Sequence, residues 1–115
     1  IAVWTVGFLF ETVGDYQLAQ FLKTKKEGEI MQTGLWQYTR HPNYFGEVTQ
    51  WWGIWIQSIG PTLAIIGLIS PITITFLILG VSGIPMLEKK YEGNPSYQAY
   101  KKRVSAFFPR LPRRV

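Results

Sequence analysis

The densest chemistry in this chain lies in residues 34–47, the run GLWQYTRHPNYFGE. Arg40 supplies a cation, His41 an imidazole, Asn43 an amide, Tyr38 and Tyr44 phenols, and Glu47 a carboxylate. Residues 48–87, which follow, hold no charged side chain. Polar groups gathered at the mouth of a membrane helix are costly unless they bind something.

The spacing defines what that something needs. Pro42 disfavours helical geometry at His41 and suits the first position of a helix, so a helix is expected from Pro42 to about Ile59, ended by Gly60 and Pro61. Its unpaired N–H groups and partial positive charge, with Arg40 and His41 just before them, would suit a phosphate or carboxylate. Tyr38 and Tyr44 could hydrogen-bond a ligand or stack on a flat ring. Asn43, Glu47, Gln50 and Gln57 are spaced 4, 3 and 7 apart and share one face. Gly46, Gly53 and Gly60 repeat every seven residues beside them, letting a helix or ligand approach the backbone. Plainer roles exist for each residue taken alone. Glu47 would complement the helix dipole or pair with Arg40, and Trp51, Trp52 and Trp55 would anchor at a membrane interface. The alignment of Asn43, Glu47 and Gln50 within an apolar helix is what those roles leave unexplained.

The elements that hold this cluster follow from the distribution of apolar residues. The chain has 115 residues, net charge +5 and a sequence pI near 9.6, a length suited to one small domain over residues 1–115. Apolar residues pool in 1–10 and 48–87, and most charges sit in 11–47 and 88–114. Such segregation predicts an all-α integral membrane protein, a polytopic helical bundle with a membrane hairpin. Ile1 opens an apolar stretch too short to span a bilayer, so further helices are expected upstream. Residues 11–26 continue the first helix, with turns at Gly28 and Gly34 and extended chain over 35–41. In the second apolar stretch, Ser70 and Pro71 mark either a cap with the first helical residue or a kink in a longer helix. Basic residues flank the hairpin on both sides, which predicts cytoplasmic flanks and a cytoplasmic tail.

That tail alternates Tyr91, Tyr97, Tyr100, Val104, Phe107 and Phe108 with lysines and arginines. Its basic run, Lys101 to Arg103 with Arg110, Arg113 and Arg114, suits anionic lipid headgroups. No nucleic-acid recognition motif accompanies it, and no nucleic-acid partner is expected. The chain contains no cysteine, which excludes disulfides, cysteine-ligated zinc, iron–sulfur clusters and cysteine nucleophiles, and no metal site is expected.

Residues 34–47 resemble the signature shared by steroid 5-alpha-reductase C-terminal domains, sterol C14-reductases and isoprenylcysteine carboxyl methyltransferases. Leu87 to Tyr91, Tyr97 to Tyr100, Val104 and Phe107 to Pro109 resemble the second half of that signature. Glu11 to Phe21 look more like the steroid-reductase branch, with its bacterial-type DUF1295 relatives. The Arg40-His41-Pro42 triplet is commoner in the other two branches, which leaves the branch open.

The resemblance implies the C-terminal cofactor-binding part of a membrane reductase, holding NADPH and reducing a carbon–carbon double bond of a steroid-like or other lipid. It assigns Asp15, Asn43 and Glu47 to cofactor contact, Tyr38, Arg40, His41 and Tyr44 to the shared block, and Tyr91, Tyr97 and Tyr100 to a tail closing over the cofactor. It names no catalytic residue here, because the groups that polarise the substrate in steroid reductases lie in earlier helices. Two other readings stay open. An S-adenosylmethionine-dependent methyltransferase would use Arg40 and His41 for a carboxylate and Glu47 to balance a sulfonium. A non-enzymatic module would bind a lipid or sterol. The bilayer and a lipid-like substrate are the expected partners, and no protein partner is indicated.

Overall fold

The structure, a computed structural model, describes residues 1–57 and 67–112. Among these residues the secondary structure is helical, with no strand beyond one isolated bridge. Helix α1 spans Ala2–Thr24, a stretch free of proline. Lys23 in its last turn complements the helix dipole. Lys25 is extended, and Gly28 adopts a φ of 82° that only glycine takes without strain.

A 3-10 turn over Gly34–Gln37 follows, entered through Gly34 at φ 62°. This segment was expected to be extended, and the reason for the turn is tertiary. Gln17 on α1 accepts from the Leu35 amide at 3.0 Å, and the buried Trp36 ring donates to the Gly14 carbonyl at 3.1 Å. Both pull the chain back onto α1.

Helix α2 spans Pro42–Gln57, so Pro42 opens a helix as expected. The expected stop at Gly60 and Pro61 lies outside the described residues. Helices α1 and α2 run antiparallel in backbone contact. A Cβ on Gly7 would lie 2.6 Å from the Gly46 carbonyl oxygen, and one on Gly53 2.6 Å from the Trp4 amide nitrogen. Gly14 packs against Pro42 in the same way. The glycine repeat therefore serves a neighbouring helix, with Gly60 outside the described residues.

The second apolar stretch continues through α3 (Ile69–Phe76), a π-helical segment (Leu77–Val81) and α4 (Ile84–Lys89). Ile69–Lys89 is a 21-residue run long and apolar enough to cross a membrane. Leu68 occupies the cap position, and Ser70 and Pro71 lie inside the first turn, so Ser70 is not a cap. The ladder is disturbed further on, at the π segment and at Ser82 and Gly83. Whether a longer helix bends at Pro71 falls on residues outside those described. Trp52 of α2 donates to the Thr75 hydroxyl of α3 at 2.9 Å. Val48, Ile78, Ile84 and Phe107 form the core beneath this contact.

Helix α5 spans Pro95–Arg103. Asn94 caps it, its Oδ1 accepting from the Ser96 and Tyr97 amides at 2.9 and 3.2 Å, with Pro95 at the first position. Beyond α5 the tail runs beside residues 38–40. Thr39 bridges to Ser105, Arg40 donates its amide to the Ser105 carbonyl at 2.8 Å, and Arg110 donates to the Tyr38 carbonyl at 3.1 Å. The fully buried Thr39 donates its hydroxyl to the Phe107 carbonyl at 2.8 Å. These contacts carry α5 and its tyrosines against the entry to α2. Val6, Phe8, Leu9, Ile69, Ile72 and Phe76 stay exposed, an apolar surface suited to lipid contact.

Candidate functional site

The polar residues divide into two groups on opposite sides of the α2 entry. The first lies between α1 and α2. Glu11, Asp15, Asn43, Tyr44 and Glu47 line an open concavity of about 280 Å³. One helical turn brings Asn43 and Glu47 to the same face, and the Gly14–Pro42 approach sets Asp15 opposite them. The Asn43 amide nitrogen donates to Asp15 Oδ1 at 3.2 Å, and its oxygen accepts from the Tyr44 amide at 3.0 Å. With three carboxylates, Glu11 and Asp15 from α1 and Glu47 from α2, this concavity offers chiefly acceptors. It suits hydroxyl or N–H donors, or a cation, and repels phosphate. Glu11 was not singled out in the sequence, though it stands one helical turn before Asp15.

The second group is buried and centres on Glu88, at the end of α4. Its Oε2 accepts from the Tyr97 hydroxyl at 3.0 Å, lies 3.0 Å from His41 Nε2 and 3.4 Å from Arg40 Nη1. Its Oε1 lies 3.8 Å from Lys101 Nζ. Arg40 therefore pairs with Glu88, not with Glu47 as weighed from the sequence. The carboxylate that Arg40 and His41 meet is the chain's own, which leaves less positive charge for an external anion than their position before α2 implied. Burial pushes the His41 imidazole below its ordinary range, against the pull of Glu88, so the ring is neutral at neutral pH. Burial and the Glu88 charge push the Tyr97 phenol up, and burial does the same to Tyr100. Both stay protonated.

Arg40, His41, Trp36, Tyr91, Tyr97 and Tyr100 share the lining of an inner cavity of about 90 Å³ with apolar residues of α1. Tyr91 and Tyr97 stack at 4.6 Å, and Tyr100 donates to the Trp36 carbonyl at 2.5 Å. Tyr44 joins the two groups, since it lines the concavity while its ring stacks on His41 at 5.3 Å. Tyr38 belongs to neither cavity, and its carbonyl instead receives Arg110 and Ser105 from the tail. Of Lys101 to Arg103, read from the sequence as suited to anionic lipid headgroups, Lys101 faces Glu88 and Arg103 donates to Gln32 at 2.7 Å. Arg113 and Arg114 lie outside the described residues.

Glu88 is the main residue that local pattern did not assign. Its signals are its position, as the first charge after the uncharged run 48–87, and its place in the Leu87 to Tyr91 block of the family resemblance, which gave it no role. A carboxylate at that boundary reads as an ordinary helix end until Arg40 and His41 are seen beside it.

The described residues are helical, include one run long and apolar enough to cross a membrane, and gather polar side chains at the entry of a helix. The chain belongs to the DUF1295 family, described as a protein of unknown function, whose family model matches residues 1–104. A 58-residue stretch, 50% of the chain, is 36% identical to 3-oxo-5-alpha-steroid 4-dehydrogenase 1 of Bos taurus. The chain covers 23% of that relative's length. No solved structure matches it.

Proposed function

We propose that this chain is the cofactor-binding part of a membrane reductase that uses NADPH to reduce a carbon–carbon double bond in a steroid-like or other lipid substrate. The observation that carries this reading is the convergence of Asp15, Asn43 and Glu47 on one concavity, with the Asn43 amide held by Asp15 at 3.2 Å. Similarity to a protein named as a steroid dehydrogenase supports the same class.

The fit between residues and cofactor is chemical. The acceptors of the concavity suit the hydroxyl and amide N–H groups of a nucleotide, while its phosphates need cations elsewhere, such as the half-exposed Lys101. The cofactor, when bound, supplies a hydride to one carbon, and a proton goes to the other. The chain's own part is to bind and orient. Asn43 presents a fixed amide, Glu47 accepts from ligand donors, and the tyrosines of the tail shield the inner cavity from water. The exposed apolar faces of α1 and α3 give a lipid substrate its route from the bilayer. In this reading the flanks of the hairpin and the tail face the cytoplasm.

One feature favours a second reading. Glu11, Asp15 and Glu47 would balance a sulfonium, which suits S-adenosylmethionine and methyl transfer. Thermal stabilisation of the purified chain by NADPH, NADH and S-adenosylmethionine in parallel separates the two. A ligand at a hundredfold excess over its dissociation constant stabilises the folded state by about 2.7 kcal/mol. A shift with NADPH and none with S-adenosylmethionine is expected, and the reverse would replace reduction by methyl transfer.

A further inference from the structure

Beyond α5 the tail returns to the level of the membrane boundary, and ring contacts fix where. Phe45, in the first turn of α2, meets Phe10 edge-on at 4.9 Å, Phe107 at 5.4 Å and Phe108 at 6.2 Å. Phe10 closes the apolar run of α1, and Glu11 follows it. Phe107 shares its core with Val48, where the uncharged run begins, and with Ile84, near the end of the membrane-length run. Three apolar segments therefore reach their polar ends beside residues 107 and 108.

The next residues do not behave as a polar tail. Phe108 is 69% and Leu111 80% exposed, with the exposed Arg110 between them. A single exposed apolar side chain needs no explanation. Two within four residues on a fixed backbone are different. Arg110 donates its amide to the Tyr38 carbonyl at 3.1 Å, and Ser105 donates its hydroxyl to the Phe108 carbonyl. Pro109 and Pro112 fix φ on either side of Arg110 and Leu111. The backbone is thus tied to the protein while the apolar side chains are left outside it.

The charge of this region has one dominant sign. Residues 89–112 hold six basic side chains and one acid, Glu92. Lys101 and Arg103 are engaged with Glu88 and Gln32. Arg110, with Lys89 and Lys90 at the end of the membrane-length run, is exposed and forms no ion pair among the described residues. An aromatic ring and a leucine beside cations suit the headgroup–acyl boundary of a bilayer, where the apolar groups enter and the cations meet lipid phosphates. A second copy meeting this loop with its own would set cation against cation. We infer that residues 108–111 are a re-entrant interfacial anchor for an anionic bilayer, in which Phe108 and Leu111 enter the boundary and Arg110 takes a lipid phosphate. The lipid-facing role that composition gave to residues 101–103 falls instead to a segment further along. The anchor concerns how the tail sits on its membrane, and it is independent of whether the chain reduces, methylates or only binds its ligand.

The chain has no cysteine, so one introduced thiol places a label at a single known position. The full chain is reconstituted in phosphatidylcholine nanodiscs with and without phosphatidylglycerol. An environment-sensitive fluorophore is attached in Leu111→Cys or, as a reference in the exposed loop before α5, in Gly93→Cys. Lipids carrying a nitroxide near the headgroup or at the bilayer centre report contact and depth. The label at position 111 should be quenched more strongly by the shallow nitroxide than by the deep one, and the label at position 93 by neither. Phosphatidylglycerol should raise the fraction of the 111 label in lipid contact. Adding Arg110→Gln should cut the ratio of contacting to free label about fivefold in the anionic discs, the worth of one cation at an anionic surface. Equal quenching at both positions would mean that the whole tail merely lies on the bilayer, and would overturn the anchor. So would a 111 label in water, or one shielded from water and lipid alike, which would put a protein surface there. Indifference to phosphatidylglycerol or to Arg110→Gln would overturn the anionic preference.

Discussion

Tyr97 and Glu88 stand nine positions apart and meet through a 3.0 Å hydrogen bond from the phenol to the carboxylate, which joins α5 to the end of α4. Removing the hydroxyl in Tyr97→Phe should cost about 1.5–3 kcal/mol, as expected for a bond to a charged acceptor. Denaturant unfolding of the two proteins measures it, and equal midpoints would contradict the contact.

The same phenol, with Tyr100, predicts how stability responds to alkali. Both have pKa values raised in the folded state above the ordinary 10.0. Between the unfolded and folded values the unfolded chain binds fewer protons, so stability falls as pH rises. The contribution should be complete below about pH 10 and lost progressively above it. Tyrosinate absorbance followed through an alkaline titration should rise for these two only as the protein unfolds.

His41 predicts the opposite limb. Its folded pKa is lowered from 6.5, so the unfolded chain takes up a proton first as pH falls. The stability it contributes is complete above about pH 6.5 and is lost on acidification through the window below it. Unfolding midpoints measured from about pH 8 to pH 5 should decline, and His41→Asn, which cannot titrate there, should flatten this part of the curve.

Gly46 packs against the backbone of Glu11 so closely that a methyl group there would overlap the Glu11 amide nitrogen. Gly46→Ala should therefore destabilise by about 1–3 kcal/mol or more, since neither backbone can yield locally. Gly93→Ala meets open space and should stay within about 0.5 kcal/mol of the parent. Thermal unfolding of both variants makes the comparison.

Glu47→Gln keeps the shape of the side chain and removes its charge. Under the proposed function it should weaken NADPH binding about tenfold to a hundredfold while leaving unfolding unchanged, as for a charge-assisted hydrogen bond. Unchanged affinity with unchanged stability would return Glu47 to the role of a dipole complement.

What could be read from the chain was whatever depends on neighbours in sequence. Pro42 opening a helix, the turns at Gly28 and Gly34 and the shared face of Asn43 and Glu47 are all set by backbone sterics and helical period. The glycine heptad was legible as a close-packing face, because absence of a side chain is itself visible in sequence. What only the tertiary structure decided was the identity of the partners. Gly46 and Gly53 meet the backbone of α1, and residues 34–37 wind into a turn because Gln17 and Gly14 hold them. Glu88 meets His41 across 47 positions and turns an expected anion site into one already supplied with its anion. Periodicity carries no information about contacts at that separation. They arise when burial of Val48, Ile78, Ile84 and Phe107 draws α2, the apolar run and the tail together, and the charged groups at that junction must then satisfy one another.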